Sequence, residues 1–309
     1  MNGVLNVYKE KGYTSHDVVA KLRGICHQKK IGHTGTLDPD ATGVLPVCFG
    51  NATKLCDFLT DQTKTYQAKM LLGKTSDTYD ASGVMLTEAD TSQLTKEAVE
   101  AAIFSFVPGY DQVPPMYSAK KVGGKKLYEL ARQGIEIERK SVPVKIGPIV
   151  IDEMDLPHVT FTVTCSKGTY IRSLIHDIGQ KLSCGALMEE LVRTRVSSFA
   201  LEDAIPLSEI GRLAKEGGIE EKMIPTDRVL SHYPALTAKP AADKLLANGN
   251  KVSAELVYIS QNQTDAGNGG VVDITQNRTC RIYDSTGRFI GLYSREEDGG
   301  IFRPYKLFL

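Results

Sequence analysis

The chain has 309 residues, of which 41% are hydrophobic and 24% charged, and 37 basic side chains are balanced by 37 acidic ones. That length supports a large core and two domains, and the balance excludes a protein held to nucleic acid by bulk positive charge, though not one with a local basic groove. No apolar run reaches membrane-spanning length, and the N-terminus MNGVLNVYKEKG lacks the apolar block of a signal peptide, so the cytoplasm is the expected location.

In chain order, residues 3–8 (GVLNVY) predict a strand. Ser15 is placed to cap a helix over 16–26 with Val18, Val19, Leu22 and Ile25 as its apolar stripe. The stretch 30–46, KIGHTGTLDPDATGVLP, is dense in Gly, Pro, Thr and Asp and predicts a long ordered loop. Asp38 precedes Pro39, which disfavours helical backbone and lets the carboxylate project. Loops held by a rigid scaffold are where binding and catalytic groups collect.

A strand is expected at 66–73 and a polar turn at 77–83. Thr95 caps a helix to about 106, which VPGYDQVPP ends. A short helix over 127–133 has Gly134 behind it as a C-cap. Residues 159–165 (VTFTVTC) alternate and are β-branched, a strong strand signal. Gly168, Thr169 and Tyr170 turn into a helix over 171–182, and 192–199 returns to strand. Composition shifts from about 215 to 225. A smaller unit over 235–309 then holds a helix at 240–247, strands at 281–283, 289–293 and 301–309, and a polar loop at 260–270 (SQNQTDAGNGG). Mixed elements without a βαβ period predict an α+β fold.

The six cysteines form no C-x-x-C pair and no zinc-finger spacing with histidine. They predict reduced core thiols and no metal site. Paired basic residues occur at Lys29–Lys30, Lys120–Lys121 and Lys125–Lys126, and Arg193 lies near Arg195. Each such cluster reads first as solvated surface charge.

Several motifs in one order carry a family resemblance. GHTGTLDPDATGVLPV at 32–47, KTYQAKMLLGKTSDTYDASG at 64–83, QVPPMYSAKKVGGKKLYELARQG at 112–134, CSKGTYIRSLIHDIGQKLSCGA at 165–186 and LVRTRVSSF at 191–199 closely resemble the bacterial tRNA pseudouridine-55 synthases, the TruB family. The family usually has a proline after the lysine of its N-terminal motif, where this chain has Glu10 after Lys9.

The resemblance implies a pseudouridine synthase fold: a mixed or antiparallel central sheet with flanking helices over 1–230, an RNA-binding insertion at about 105–145, and a small, mainly β PUA-like domain over 231–309. It implies isomerisation of a T-loop uridine of tRNA without cofactor or metal. The expected partner is the tRNA T-arm, with no membrane or protein partner, and the protein is expected to be a monomer.

By the same resemblance, Asp38 is the catalytic aspartate, with Tyr66 and Arg172 beside it in the active site. A carboxylate is a competent nucleophile in glycosyl chemistry. It could attack C1′, attack C6 of the base or act as base at C2′, and the residues leave these open. An adjacent guanidinium favours its ionised form. His33 would fill the space left by a flipped base, and Tyr170 and Leu191 would contact the base. Lys9, Lys120 and Lys121 would meet the substrate, with Lys125 and Lys126 in the same flexible basic segment. Asp40 reads as loop support. The alternatives are a tRNA-binding or folding module in which catalysis is secondary, and a metal-dependent hydrolase built on His33, Asp38 and Asp40.

Overall fold

The computed structural model describes residues 1–258, 278–297 and 299–309. The polar stretch at 260–270 therefore lies outside the described residues. A mixed, largely antiparallel sheet dominates. Its strands run in the order Ile205–Pro206, Gly3–Lys9, Thr42–Phe49, Ala186–Val196, Lys64–Leu72, His158–Cys165, Val142–Asp155, Gly109–Gln112. Parallel pairing occurs where Val192 and Arg193 meet Thr42 and Gly43, and at the Ile205–Pro206 edge.

Burial follows the sequence pattern. Lys64–Leu72 and His158–Cys165 alternate, and Tyr66, Ala68, Met70, Val159, Phe161 and Val163 all enter one core. Helices Lys96–Phe104 and Ile171–Lys181 close that core from one face. Thr42–Phe49 is instead buried without interruption from Gly43 onward, because both of its faces are covered. Leu45, Val47 and Phe49 pack under helices Ser15–Ile25 and Leu207–Glu216, whereas Val44 and Cys48 face Leu55, Phe199, Leu230 and Phe308.

A second, six-stranded sheet runs from Ala235–Ala238 to Ile301–Leu307 and has its own core around Leu236, Ile282, Tyr293 and Phe302. Leu292 and Phe308 leave that unit to share the core under Val44. All six cysteines are free thiols.

Four local expectations change. The cap of the first helix is Thr14, in a reciprocal box with Asp17, and Ser15 is buried inside the helix. The 30–46 loop is shorter than expected, since Ile31–His33 pairs with Thr42–Phe49 and only 34–41 is loop. Gly43 explains the tight closure: at φ +105 a β-carbon there would collide with the backbone of Arg193. The strand expected at 192–199 begins at Ala186. Among the elements that were not predicted are Val142–Asp155 and Leu207–Glu216. The first hides its period behind Pro143, Gly147, Pro148 and two irregularities of register.

Residues 116–137 form a satellite with a core of Met116, Leu127 and Leu130. The basic segment within it forms a hairpin. Lys121–Val122 pairs with Lys125–Lys126 across Gly123 and Gly124, both at positive φ, as a two-residue hairpin turn requires.

Candidate active site

Side chains of the scaffold hold several backbone groups of the 34–41 loop. The Leu37 amide donates to Ser15 Oγ at 2.9 Å, and the Leu37 side chain is buried in the main core. Lys9 Nζ donates to the carbonyls of Ala41 (2.6 Å), Pro39 (2.9 Å) and Glu10 (3.1 Å). Arg193 donates from Nη2 to Gly35 O at 3.2 Å and from Nε to Val44 O at 2.7 Å. The loop is thus rigid without regular structure, and it presents Asp38 at a fixed place.

Asp38 Oδ2 meets Arg172 Nε at 3.0 Å. Arg172 is almost fully buried, and its remaining donors reach Asp80 Oδ2 (3.3 Å), Thr78 O (2.9 Å) and Tyr117 O (2.9 Å). One guanidinium therefore ties together the 34–41 loop, the 77–83 turn and the 116–137 satellite. Its planar fork suits this, where a lysine point charge would not.

The Asp38 side chain is 41% exposed, so a substrate can reach it. Crowding by protein nevertheless pushes its pKa above the ordinary aspartate value. Arg172 opposes that rise, and the Asp80 carboxylate adds to it. The guanidinium favours the ionised carboxylate as expected, but desolvation is the larger effect.

Tyr66 and Leu191 are buried in the same core as Leu37. Tyr66 faces Arg193 directly across the paired strands Lys64–Leu72 and Ala186–Val196. Burial pushes the Tyr66 phenol up, and the Arg193 guanidinium beside it pulls the other way. Tyr170 precedes helix Ile171–Lys181 and is half-buried. Its phenol is pushed up first by burial and feels both Asp38 and Arg172. Asp38, Arg172, Tyr66, Tyr170 and Leu191 are thus brought together from four strands, loops and helix ends.

His33 stands apart from that group. Its Nδ1 accepts from the Gly35 amide at 3.3 Å, and its ring packs edge-on against His16 at 5.1 Å. Burial, with His16 and Arg193 adding to it, lowers its pKa to about 4. The ring is neutral at physiological pH. The unfolded chain takes up this proton near the ordinary histidine value of 6.5, well before the folded one, so the stability that depends on a neutral His33 falls as pH drops from about 6.5 to about 4. The imidazole resonances of His33 are expected to titrate with a midpoint near 4; a midpoint near 6.5 would contradict this burial.

Lys9 is corrected. It was expected to contact substrate, but it is 0% exposed and acts as the brace of the loop. Burial brings its ammonium down to about 8, against the pull of Asp38 and Asp40. Asp40 is exposed. Lys120 and Lys121 lie at the satellite hairpin. Among the described residues, no group of three or more His, Cys, Asp or Glu is placed to hold a metal ion.

Three residues escaped the sequence analysis. Asp80 was hidden in a polar turn, where it also accepts from Thr78 Oγ and Ser82. Arg193 was taken for part of a surface cluster but is 1% exposed. The period-2 step from Leu191 to Arg193 was the available signal, since it puts both on one strand face. Gln112 sits in a motif, yet nothing local reveals its target.

Residues 23–171 match a family described as "TruB family pseudouridylate synthase (N terminal domain)", and residues 172–232 match "tRNA pseudouridylate synthase B C-terminal domain". The chain is 48% identical over 317 residues to the tRNA pseudouridine synthase B of Lachnoclostridium phytofermentans, covering 100% of both chains. It is 46% identical over 307 residues to that of Clostridium acetobutylicum, covering 99% of both. Among solved structures, a chain in a crystal structure of a Cbf5-Nop10-Gar1 complex has a TM-score of 0.72 at 26% identity, covering 99% of this chain and 85% of that one. A chain in a structure of an H/ACA RNP bound to a substrate RNA containing 2′-deoxyuridine has a TM-score of 0.70 at 24% identity, with the same coverages, and shares the fold. On the matched segments and on identity across its whole length, the chain belongs to the TruB family of pseudouridine synthases.

Proposed function

We propose that this protein isomerises the T-loop uridine of tRNA to pseudouridine, with Asp38 as the group that starts the reaction. The observation that carries this is the Asp38–Arg172 pair. A reachable carboxylate is held by a buried guanidinium on a braced loop, next to Tyr66, Tyr170 and Leu191. Mere RNA binding does not call for a carboxylate aimed at an anionic ligand, and this favours an enzyme over a folding module.

In this reading the target base leaves the T-loop stack and lies against Tyr66 and Leu191. Asp38 opens the chemistry at C1′, at C6 or at the C2′ proton. The glycosidic N1–C1′ bond breaks, the base turns, C5 bonds to C1′ as any bond to Asp38 is released, the C5 proton leaves, and N1 takes up a proton. Product and substrate are isomers, so the reaction needs no redox cofactor. Tyr170 borders the base, and the neutral ring of His33 takes the vacated place in the RNA stack. Mapping pseudouridine in tRNA after incubation with the purified protein tests the activity; tRNA that comes back unmodified would reject it.

Residues 1–230 serve as the catalytic domain, with 105–145 as an RNA-binding insertion. Residues 231–309 serve as a PUA-like RNA-binding unit. The protein works on tRNA in the cytoplasm as a monomer.

His33→Ala is expected to slow the reaction moderately, and less so when the uridine is offered in an unstructured loop. An equal, severe loss on both substrates would instead assign His33 to the chemistry. Lys121 and Lys125 lie exposed on the two strands of the hairpin and suit phosphate contacts. Replacing both by Ala is expected to weaken tRNA binding and to flatten the dependence of log K on log salt by roughly 1 to 2 units. An unchanged slope would remove the hairpin from the RNA interface.

A further inference from the structure

The helix that carries Arg172 has an unusual start. Tyr170 occupies its N-cap position, with φ −100 and ψ 112 and no side-chain cap. Caps are normally Ser, Thr, Asp or Asn, whose side chains turn back to bond the first amides. A tyrosine cannot do this. Its backbone is held from outside instead, by Gln112 at the end of strand Gly109–Gln112. Gln112 Oε1 accepts from the Tyr170 amide at 2.8 Å, and Gln112 Nε2 donates to the Tyr170 carbonyl at 3.0 Å. The same Nε2 donates to Tyr110 Oη at 2.7 Å, and Tyr110 Oη donates to Asp177 Oδ2 at 2.7 Å. Gln112 is 1% exposed, so no water competes for these bonds.

Two further bonds from the same stretch reach the same helix turn. Ser173 Oγ donates to Val113 O at 3.1 Å, and Arg172 Nη2 donates to Tyr117 O at 2.9 Å. The chain from 110 to 117 thus grips positions 170, 172, 173 and 177.

We propose that Gln112 is a positioning residue for the isomerisation: by locking both backbone groups of Tyr170 it frees that phenol to face the reacting base and sets the turn that aims Arg172 at Asp38. The proposal rests on the function argued above. Gln112 itself touches neither Asp38 nor the base. Removing its bonds loosens one residue of the site without removing any reacting group, and misplacement of this kind costs rate rather than affinity. Affinity for tRNA comes mainly from phosphate contacts made elsewhere.

Gln112→Met keeps the length and loses all three bonds. Gln112→Glu keeps the acceptor for the Tyr170 amide and loses both donations. Tyr110→Phe removes only the outer support. The tests are steady-state kinetics on T-arm RNA and hydrogen exchange of the segment 168–174 in the intact protein. Gln112→Met is expected to lower kcat by roughly ten- to a hundredfold with KM within about threefold, and to lose amide protection at Tyr170. Gln112→Glu should retain that protection and fall between Gln112→Met and wild type, and Tyr110→Phe should lose only a few-fold. Wild-type kcat and protection in Gln112→Met would overturn the role. So would losses in kcat and KM that merely follow the melting temperature through all three variants. A wild-type protein that forms no pseudouridine would reject the function instead, and exchange at Tyr170 would still decide whether Gln112 locks it.

Discussion

Asp38→Asn is expected to abolish pseudouridine formation, by on the order of 10⁴-fold or more, while tRNA affinity stays close to wild type. The amide keeps the size of the carboxylate and can still accept from Arg172 Nε, so the loop keeps its shape. Its other anchors are Ser15, Lys9 and Arg193, none of which uses the Asp38 side chain. What is lost is the charge that attacks carbon or takes a proton. Tritium release from C5-labelled uridine in T-arm RNA measures the reaction, and a filter or gel assay measures binding. Near-normal release by Asp38→Asn would remove Asp38 from the chemistry. Loss of binding in parallel with activity would mean that the carboxylate is an RNA contact or a structural post.

The pH profile of the wild-type enzyme follows from the same environment. Crowding raises the pKa of Asp38, so the ionised form gives way to the acid at a higher pH than for a solvated aspartate. The acid limb of kcat/KM is expected above the ordinary aspartate value of about 3.9.

Arg172→Met is expected to cost both catalysis and stability, with activity falling by roughly 10²- to 10³-fold, the scale of removing a preorganised electrostatic contact. Asp38 and Asp80 then lie near each other without the cation between them, and the carbonyls of Thr78 and Tyr117 lose a donor. Breaking a fully buried pair costs about 3–5 kcal/mol, and the open side of Asp38 reduces that to about 2–3 kcal/mol. Arg172→Lys keeps the charge but cannot reach four acceptors in one plane, so it should recover stability more than rate. A second signature separates this role from packing. Loss of the cation raises the pKa of Asp38 further, so the acid limb of kcat/KM moves to higher pH in Arg172→Met. An unmoved limb, with activity near wild type, would show that Arg172 only fastens the satellite to the body.

Much of the fold was legible because burial on one sheet face leaves a period of two. Strands Lys64–Leu72 and His158–Cys165 and helix Lys96–Phe104 stand where their patterns placed them. Val142–Asp155 was not legible, since Pro143, Gly147 and Pro148 break its alternation and the strand survives by bulging against His158–Cys165. The first helix moved by one residue because Thr14 has Asp17 to complete its box, whereas Ser15 is taken by the Leu37 amide, a partner 22 residues away.

The motifs of the sequence named Asp38, Tyr66, Arg172, Tyr170 and Leu191, and composition predicted a loop over 30–46, of which 34–41 is loop. That information is local: residue types, glycines and prolines, and the order of motifs. The tertiary structure alone decided the meaning of charges. Lys9 and Arg193 look like any surface cations in the chain, yet both are buried and hold carbonyls of the loop, because three strands close around them. Asp80 and Gln112 acquire their roles only when Arg172 and Tyr170 arrive from 92 and 58 residues away. A lone side chain cannot announce its partner when that partner is brought by sheet register, and the energy of a buried charge is set by what surrounds it.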